Sequence, residues 1–183
     1  MAEITTTSSR VVYRNRWMEV REDQILHADG SPGLYGVVHK PDFALIIPMD
    51  ETGFHLVQQY RYPANGRFWE FPQGTWEDSP DIDPRELARR ELAEETGLRA
   101  ATLRPLGVLY EAYGFATHRG HVFLATDLTP GPANPDPEEG PLTSHHVPFD
   151  AFPRLVRDGK IADAISLAAY NLLALDQGLV ISK

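Results

Sequence analysis

Apolar and polar positions alternate along most of this chain, and three stretches, one central and two near the end, switch to helical spacing. Val11 to Arg21 and Leu34 to His39 carry the period-two pattern of strands, with Asp29-Gly30-Ser31-Pro32-Gly33 as the turn between them. Phe43 to Met49 and Phe54 to Tyr60 predict a hairpin joined near Asp50-Glu51-Thr52-Gly53. Phe68 to Gly74 predicts a short aromatic strand broken by proline and glycine. Strands are predicted again at Leu103 to Tyr110 and His121 to Asp127, followed by a Pro- and Gly-dense loop from Thr129 to Pro141. A short helix is expected from Phe149 to Arg157 and a longer one from Ile161 to Gln177, whose Leu167, Leu172, Leu173 and Leu175 form an apolar face. Strands first, a helix in the middle and a helix at the end define an α+β layered domain.

The central helix has agreeing start and stop signals. Asp83 suits the N-cap, Pro84 the first helical position, Glu86 a capping box, and Gly97 the left-handed residue that ends a helix. Within it Glu91, Glu94 and Glu95 stand at i, i+3 and i+4, so Glu91 and Glu95 lie about 40° apart and Glu94 about 60° to the other side. Like charges at ~4 Å cost on the order of 1 kcal/mol per pair in water, and more where water is scarce. Two readings fit this face. One is a solvated acidic surface in which Glu86 and Arg90, then Arg90 and Glu94, form i,i+4 pairs. The other is a site for Mg²⁺, a hard cation that takes one or two carboxylates plus water and phosphate. The flanking sequence favours the cation, because Gly74 permits a close backbone approach and the Gln73 carbonyl offers a further oxygen.

Composition narrows the classes. With 183 residues, 42% hydrophobic, the chain builds one sizeable core, expected as a flexible stretch over 1–10, a single domain over 11–178 and a tail over 179–183. The absence of cysteine excludes disulfides and thiolate metal sites. A polar N-terminus and the lack of a run of about 18 apolar residues predict a cytoplasmic protein with no membrane partner. A formal charge of −9, from 26 acidic and 17 basic residues, argues against a nucleic-acid groove. It leaves room for a small phosphorylated ligand, since a bound cation inverts the local field of an acidic site. His118 and His121 lack the further ligands that zinc requires, and His145 and His146 are expected to point to opposite faces of a strand, so no histidine is assigned to metal.

The stretch from Gly74 to Leu98 resembles the Nudix box, which ends in R-E-U-x-E-E-x-G-U with U a bulky aliphatic. Arg90-Glu91-Leu92-Ala93-Glu94-Glu95-Thr96-Gly97-Leu98 matches every defined position. The first half departs from the pattern. The family places a glutamate six residues after the glycine and eight before the arginine, but here those anchors are two residues too far apart, and the two counts reach Pro80 and Ile82. In the family that glutamate mainly braces the loop against the helix, and Glu77, Asp78 and Asp81 are the nearby acidic substitutes. Leu56 to Pro63, Trp69 to Pro72, Gly114-Phe115 and Gly159 to Ala164 look like the ADP-ribose pyrophosphatase branch, so the resemblance covers about residues 10 to 178.

The resemblance implies the Nudix fold, a mixed sheet between helices, and metal-dependent hydrolysis of the pyrophosphate bond of ADP-ribose or another NDP-sugar. A dinucleoside polyphosphate hydrolase is the enzymatic alternative, and a non-catalytic nucleotide-binding sensor the alternative of another class. It implies Mg²⁺, with Mn²⁺ as a substitute, on Glu91, Glu94, Glu95 and the Gln73 carbonyl, Glu91 and Glu95 being the principal ligands and Arg90 part of the catalytic helix. Glu138 and Glu139 match the position of a loop-borne base, with Glu139 preferred. Arg61 suits a phosphate, Glu70 either anchors a base or ribose or pairs with an arginine, and Gly74 and Phe115 line the substrate. Tyr113 replaces the proline usual in this branch and either stacks on a nucleobase or is a plain loop residue. Relatives of this branch pair through their N-terminal strands, which implies a homodimer with residues 11–40 at its contact.

Overall fold

The first three strands form a meander built largely from polar residues. In the computed structural model, which describes residues 3–75, 82–132 and 141–178, β1 (Ile4–Arg14), β2 (Glu19–His27) and β3 (Pro32–His39) pair antiparallel in that order. Two expectations change here. The strand read as continuous from Val11 to Arg21 is two strands, because Asn15 turns the chain: its Oδ1 accepts the backbone N–H groups of Trp17 and Met18, each at 2.9 Å. The stretch over 1–10, expected as flexible, contributes Ile4 to Arg10 to β1, in register with His27 to Glu22 of β2. Main-chain pairing holds this Thr- and Ser-rich strand, which is exposed along its whole length.

The next elements are β4 (Phe43–Pro48), β5 (Gly53–Arg61), β6 (Gly66–Glu70), β7 (Gln73–Gly74), α1 (Pro84–Thr96), β8 (Leu98–Tyr110), β9 (Arg119–Pro130), β10 (Thr143–Pro148), α2 (Phe152–Arg157) and α3 (Ala164–Asp176). A mixed sheet runs β7-β4-β9-β8, with β4 and β9 parallel and the other pairs antiparallel, and a second sheet runs β10-β5-β6. β4 is buried at every position, which is why its sequence reads as a continuous apolar run. Phe43, Leu45 and Ile47 face a core shared with Phe54, Phe71, Phe152, Ile165 and Leu173, whereas Ala44 and Ile46 face Leu87, Ala88 and Leu92 of α1. Each fully buried Leu or Ile contributes roughly 1.5–3 kcal/mol. Helices therefore cover the central sheet on both sides, the layering expected of the α+β reading.

α1 takes the bounds its sequence signals set. Asp83 accepts from the N–H of Arg85 at 2.9 Å, Pro84 opens the helix, and Gly97 ends it at φ 70°. Glu86, placed by spacing as a capping-box partner, turns its carboxylate to Arg90 Nε at 3.1 Å.

Candidate active site

The segment Phe71 to Gly74 is clamped from two sides. Ile46 donates its N–H to the Pro72 carbonyl at 2.9 Å, and β7 pairs Gln73 and Gly74 with Leu45 and Ala44. On the α3 side, Phe71 N–H reaches Ser166 Oγ at 3.0 Å and the Gln73 side-chain amide donates to Asp163 at 3.1 Å. Asp163 is also the N-cap of α3, accepting from Ser166 N–H at 3.0 Å. The backbone beneath the acidic helix is thereby fixed.

The acidic face of α1 lies on this fixed strand. Glu95 accepts the Gln73 N–H at 3.1 Å and is 3% exposed. Glu91, 9% exposed, rests its carboxylate directly over Gly74: a methyl group there would sit 2.4 Å from Oε2. Glu94 is half-buried and faces the same cleft. Two buried carboxylates and a third beside them offer hard oxygen donors without thiolate or imidazole, a set that suits a divalent cation.

The cleft has a volume of about 1270 Å³ and is lined by Gln73, Gly74, Arg90, Glu91 and Glu94 together with Arg61 and Glu70 from the second sheet. Glu70 is buried, and both of its oxygens are engaged: Arg61 donates to Oε2 at 3.1 Å and to Oε1 at 2.5 Å, and Gln59 donates to Oε1 at 2.6 Å. Burial pushes the Glu70 carboxyl above its ordinary value, and the charge of Asp163 adds to the rise, against the pull of Arg61. Burial alone would lower the Arg61 guanidinium, but Glu70, with Glu95 and Asp163 behind it, holds it above its usual value. Of the two readings of Glu70, the structure shows the arginine pair. Arg61 is the member with an exposed face, at 42% of its side chain.

The sequence-predicted residues do not all converge. Tyr113 and Phe115, expected against substrate, are 84% and 59% exposed and lie outside the cleft lining. Their loop docks instead on β3, where Val38 donates to the Phe115 carbonyl at 2.7 Å and Thr117 N–H returns to Val38 at 3.0 Å. Glu138 and Glu139, and the substitute acids Glu77, Asp78 and Asp81, lie outside the described residues.

Sequence reasoning missed several lining residues: Arg16, Trp17, Lys40, Glu111, His118 and Asp163. Arg16 stacks on Trp17 with its Cζ 4.5 Å from the ring centroid, in the turn that the sequence had placed inside a strand. His118 is buried and its Nε2 lies 2.6 Å from Glu111 Oε2. Asp163 had one available signal, its N-cap position ahead of Ala-Ile-Ser.

An acidic helix face seated on a glycine strand, opening on a cleft that also carries arginines, has the charges that a hydrolase of pyrophosphate bonds needs. Comparison with known proteins gives the family. The NUDIX domain model matches residues 38–166, preceded over residues 4–38 by the nucleoside diphosphate sugar hydrolase N-terminal domain, and the chain belongs to the Nudix family. It is 33% identical to the ADP-ribose pyrophosphatase of Mycobacterium tuberculosis over 168 residues, 91% of this chain and 81% of that one. It is 26% identical to the ADP-ribose pyrophosphatase of Bacillus subtilis over 99% of this chain and 98% of the relative. A crystal structure of an ADP compounds hydrolase superposes with a TM-score of 0.85 at 24% identity, covering 98% of both chains, which bears out the expected fold. No helix among the described residues is long and apolar enough to cross a membrane.

Proposed function

We propose that this enzyme hydrolyses the pyrophosphate bond of ADP-ribose or a related NDP-sugar, releasing a nucleoside monophosphate and a sugar phosphate, with Mg²⁺ as its ion and Mn²⁺ as a substitute. The observation that carries the reading is the seating of Glu91 on Gly74 in one cleft with Arg61, with Glu95 beside it on the Gln73 N–H. Similarity to two ADP-ribose pyrophosphatases over 91% and 99% of this chain supports the substrate class.

In this mechanism Glu91, Glu94, Glu95 and the Gln73 carbonyl would hold divalent ions, with Glu91 and Glu95 as principal ligands. Such ions, when bound, neutralise the phosphates and the charge that develops on the attacking and leaving oxygens. Arg61 presents its planar fork to a phosphate, oriented by Glu70 and Gln59 from behind. Arg90, paired with Glu86, lines the cleft from α1 beside Glu91. Glu139, with Glu138 beside it, accepts the proton of the attacking water; this role comes from the resemblance, and both residues lie outside the described structure.

A homodimer contacting through residues 11–40 accompanies this reading. Its support is β1, on which Val11, Val12 and Tyr13 are 45 to 55% exposed. The dinucleoside polyphosphate alternative draws no support from Tyr113, which stands outside the cleft of its own chain.

The test is incubation with Mg²⁺ and a panel of ADP-ribose, other NDP-sugars and dinucleoside polyphosphates, with product identification. AMP and ribose 5-phosphate from ADP-ribose are expected. Ligand binding without turnover would favour the sensor reading and overturn this one.

A further inference from the structure

β5 begins and ends at different chemistry. Arg61 closes it at the cleft, and His55, six residues earlier, stands about 20 Å away along the strand. There His55 is directly opposite His146 of β10, so the two imidazoles share one face, with ring centroids 5.1 Å apart. The carboxylate of Asp50, from the turn between β4 and β5, lies between them. Its Oδ1 is fixed by Thr52 N–H at 2.7 Å, Thr52 Oγ1 at 2.8 Å and Gly53 N–H at 3.0 Å. Its Oδ2 is 3.0 Å from His55 Nε2 and 3.3 Å from His146 Nε2, and one donor atom from each of the three residues falls within 4.8 Å of the others.

We propose that Asp50, His55 and His146 bind one divalent transition-metal ion, zinc in the first place, at a site separate from the carboxylate cleft. Zinc with nitrogen and oxygen ligands at about 2.0–2.2 Å has tetrahedral edges of about 3.4 Å, close to both Asp50–histidine separations. Two opposed imidazoles on one strand pair repel if both are charged, whereas as neutral ligands they share a cation. Imidazole selects zinc, cobalt and nickel over magnesium, so the site does not compete for the ion of the acidic helix. All three side chains reach solvent, at 36% for Asp50, 20% for His55 and 35% for His146. A neighbouring hollow of about 380 Å³, lined by Asp50, His55 and Asp127, leaves space for water as the fourth ligand. Bound there, the ion fastens β10 and β5 to the turn between β4 and β5.

Cobalt(II), whose visible spectrum reports tetrahedral imidazole ligation, is titrated into the full chain in excess Mg²⁺. One equivalent with intense visible bands, displaced by zinc, is expected in the wild type and in Glu91→Gln alike. His55→Ala and His146→Gln should each weaken it by at least about 10-fold, the lower end of what even outer-shell losses produce. The glutamine variant keeps hydrogen-bonding capacity at an exposed position, and circular dichroism with Mg²⁺-dependent hydrolysis confirms that it is folded. No cobalt or zinc binding, or bands that survive His146→Gln and vanish in Glu91→Gln, overturns the proposal. Here only a hydrogen-bonded staple would remain.

Discussion

Replacing Gly74 by alanine tests whether the placement of a single carboxylate governs the rate. The added methyl would stand 2.4 Å from Glu91 Oε2, 2.6 Å from its Cδ and 2.8 Å from Oε1, against an ordinary contact of 3.4 Å or more, so the carboxylate has to move by about 1 Å. The obstructing group is the end of a side chain and Gly74 does not occupy the left-handed region, so the strand itself need not shift. Stability should change by no more than about 1 kcal/mol, since alanine also reduces the freedom of the unfolded chain. Catalysis should suffer more: a 1 Å misplacement costs on the order of 100-fold in rate, or about 2.7 kcal/mol of transition-state stabilisation. The assay is kcat for ADP-ribose at saturating Mg²⁺, the Mg²⁺ concentration for half activation, and a thermal melt. Wild-type kcat with unchanged Mg²⁺ dependence would refute the reasoning. A large fall in melting temperature would show that the backbone had moved rather than the carboxylate.

Glu91→Gln and Glu95→Gln should each reduce kcat by about 100-fold or more with the fold intact by circular dichroism, and near-normal turnover removes their proposed role. Arg61→Ala leaves Glu70 buried without its bidentate partner and should destabilise the chain by about 1–3 kcal/mol in urea unfolding, with KM also raised; an unchanged midpoint contradicts the coupling. Asp42 is partly buried, which raises its carboxyl, but the Arg119 backbone and guanidinium donors and His121 prevail and hold it below its usual value. A depressed carboxylate stabilises the fold above the ordinary aspartate range near pH ~3.9 and loses that contribution as pH falls towards its folded value. The stability gap between wild type and Asp42→Asn should therefore narrow on acidification, and a gap constant with pH sinks the assignment. Gel filtration should give twice 20.5 kDa, and a monomer contradicts the dimer.

The acidic helix was legible because its signals are local. Asp83, Pro84 and Gly97 set the ends, and i, i+3, i+4 spacing put three glutamates on one face without reference to the rest of the chain. The same holds for β4, whose apolar run announces burial on both sides. β1 was not legible, because Thr- and Ser-rich residues carry no burial pattern and only pairing with β2 orders them. Sequence alone also carried the family motif and placed the three glutamates on one helix face. Tertiary structure decided that Glu70 serves Arg61, that Trp17 and Asp163 reach the cleft, that Tyr113 does not, and that His55 meets His146. These are contacts between residues far apart in the chain, fixed by strand register and layer packing, and no local pattern encodes which side chains such packing will bring face to face.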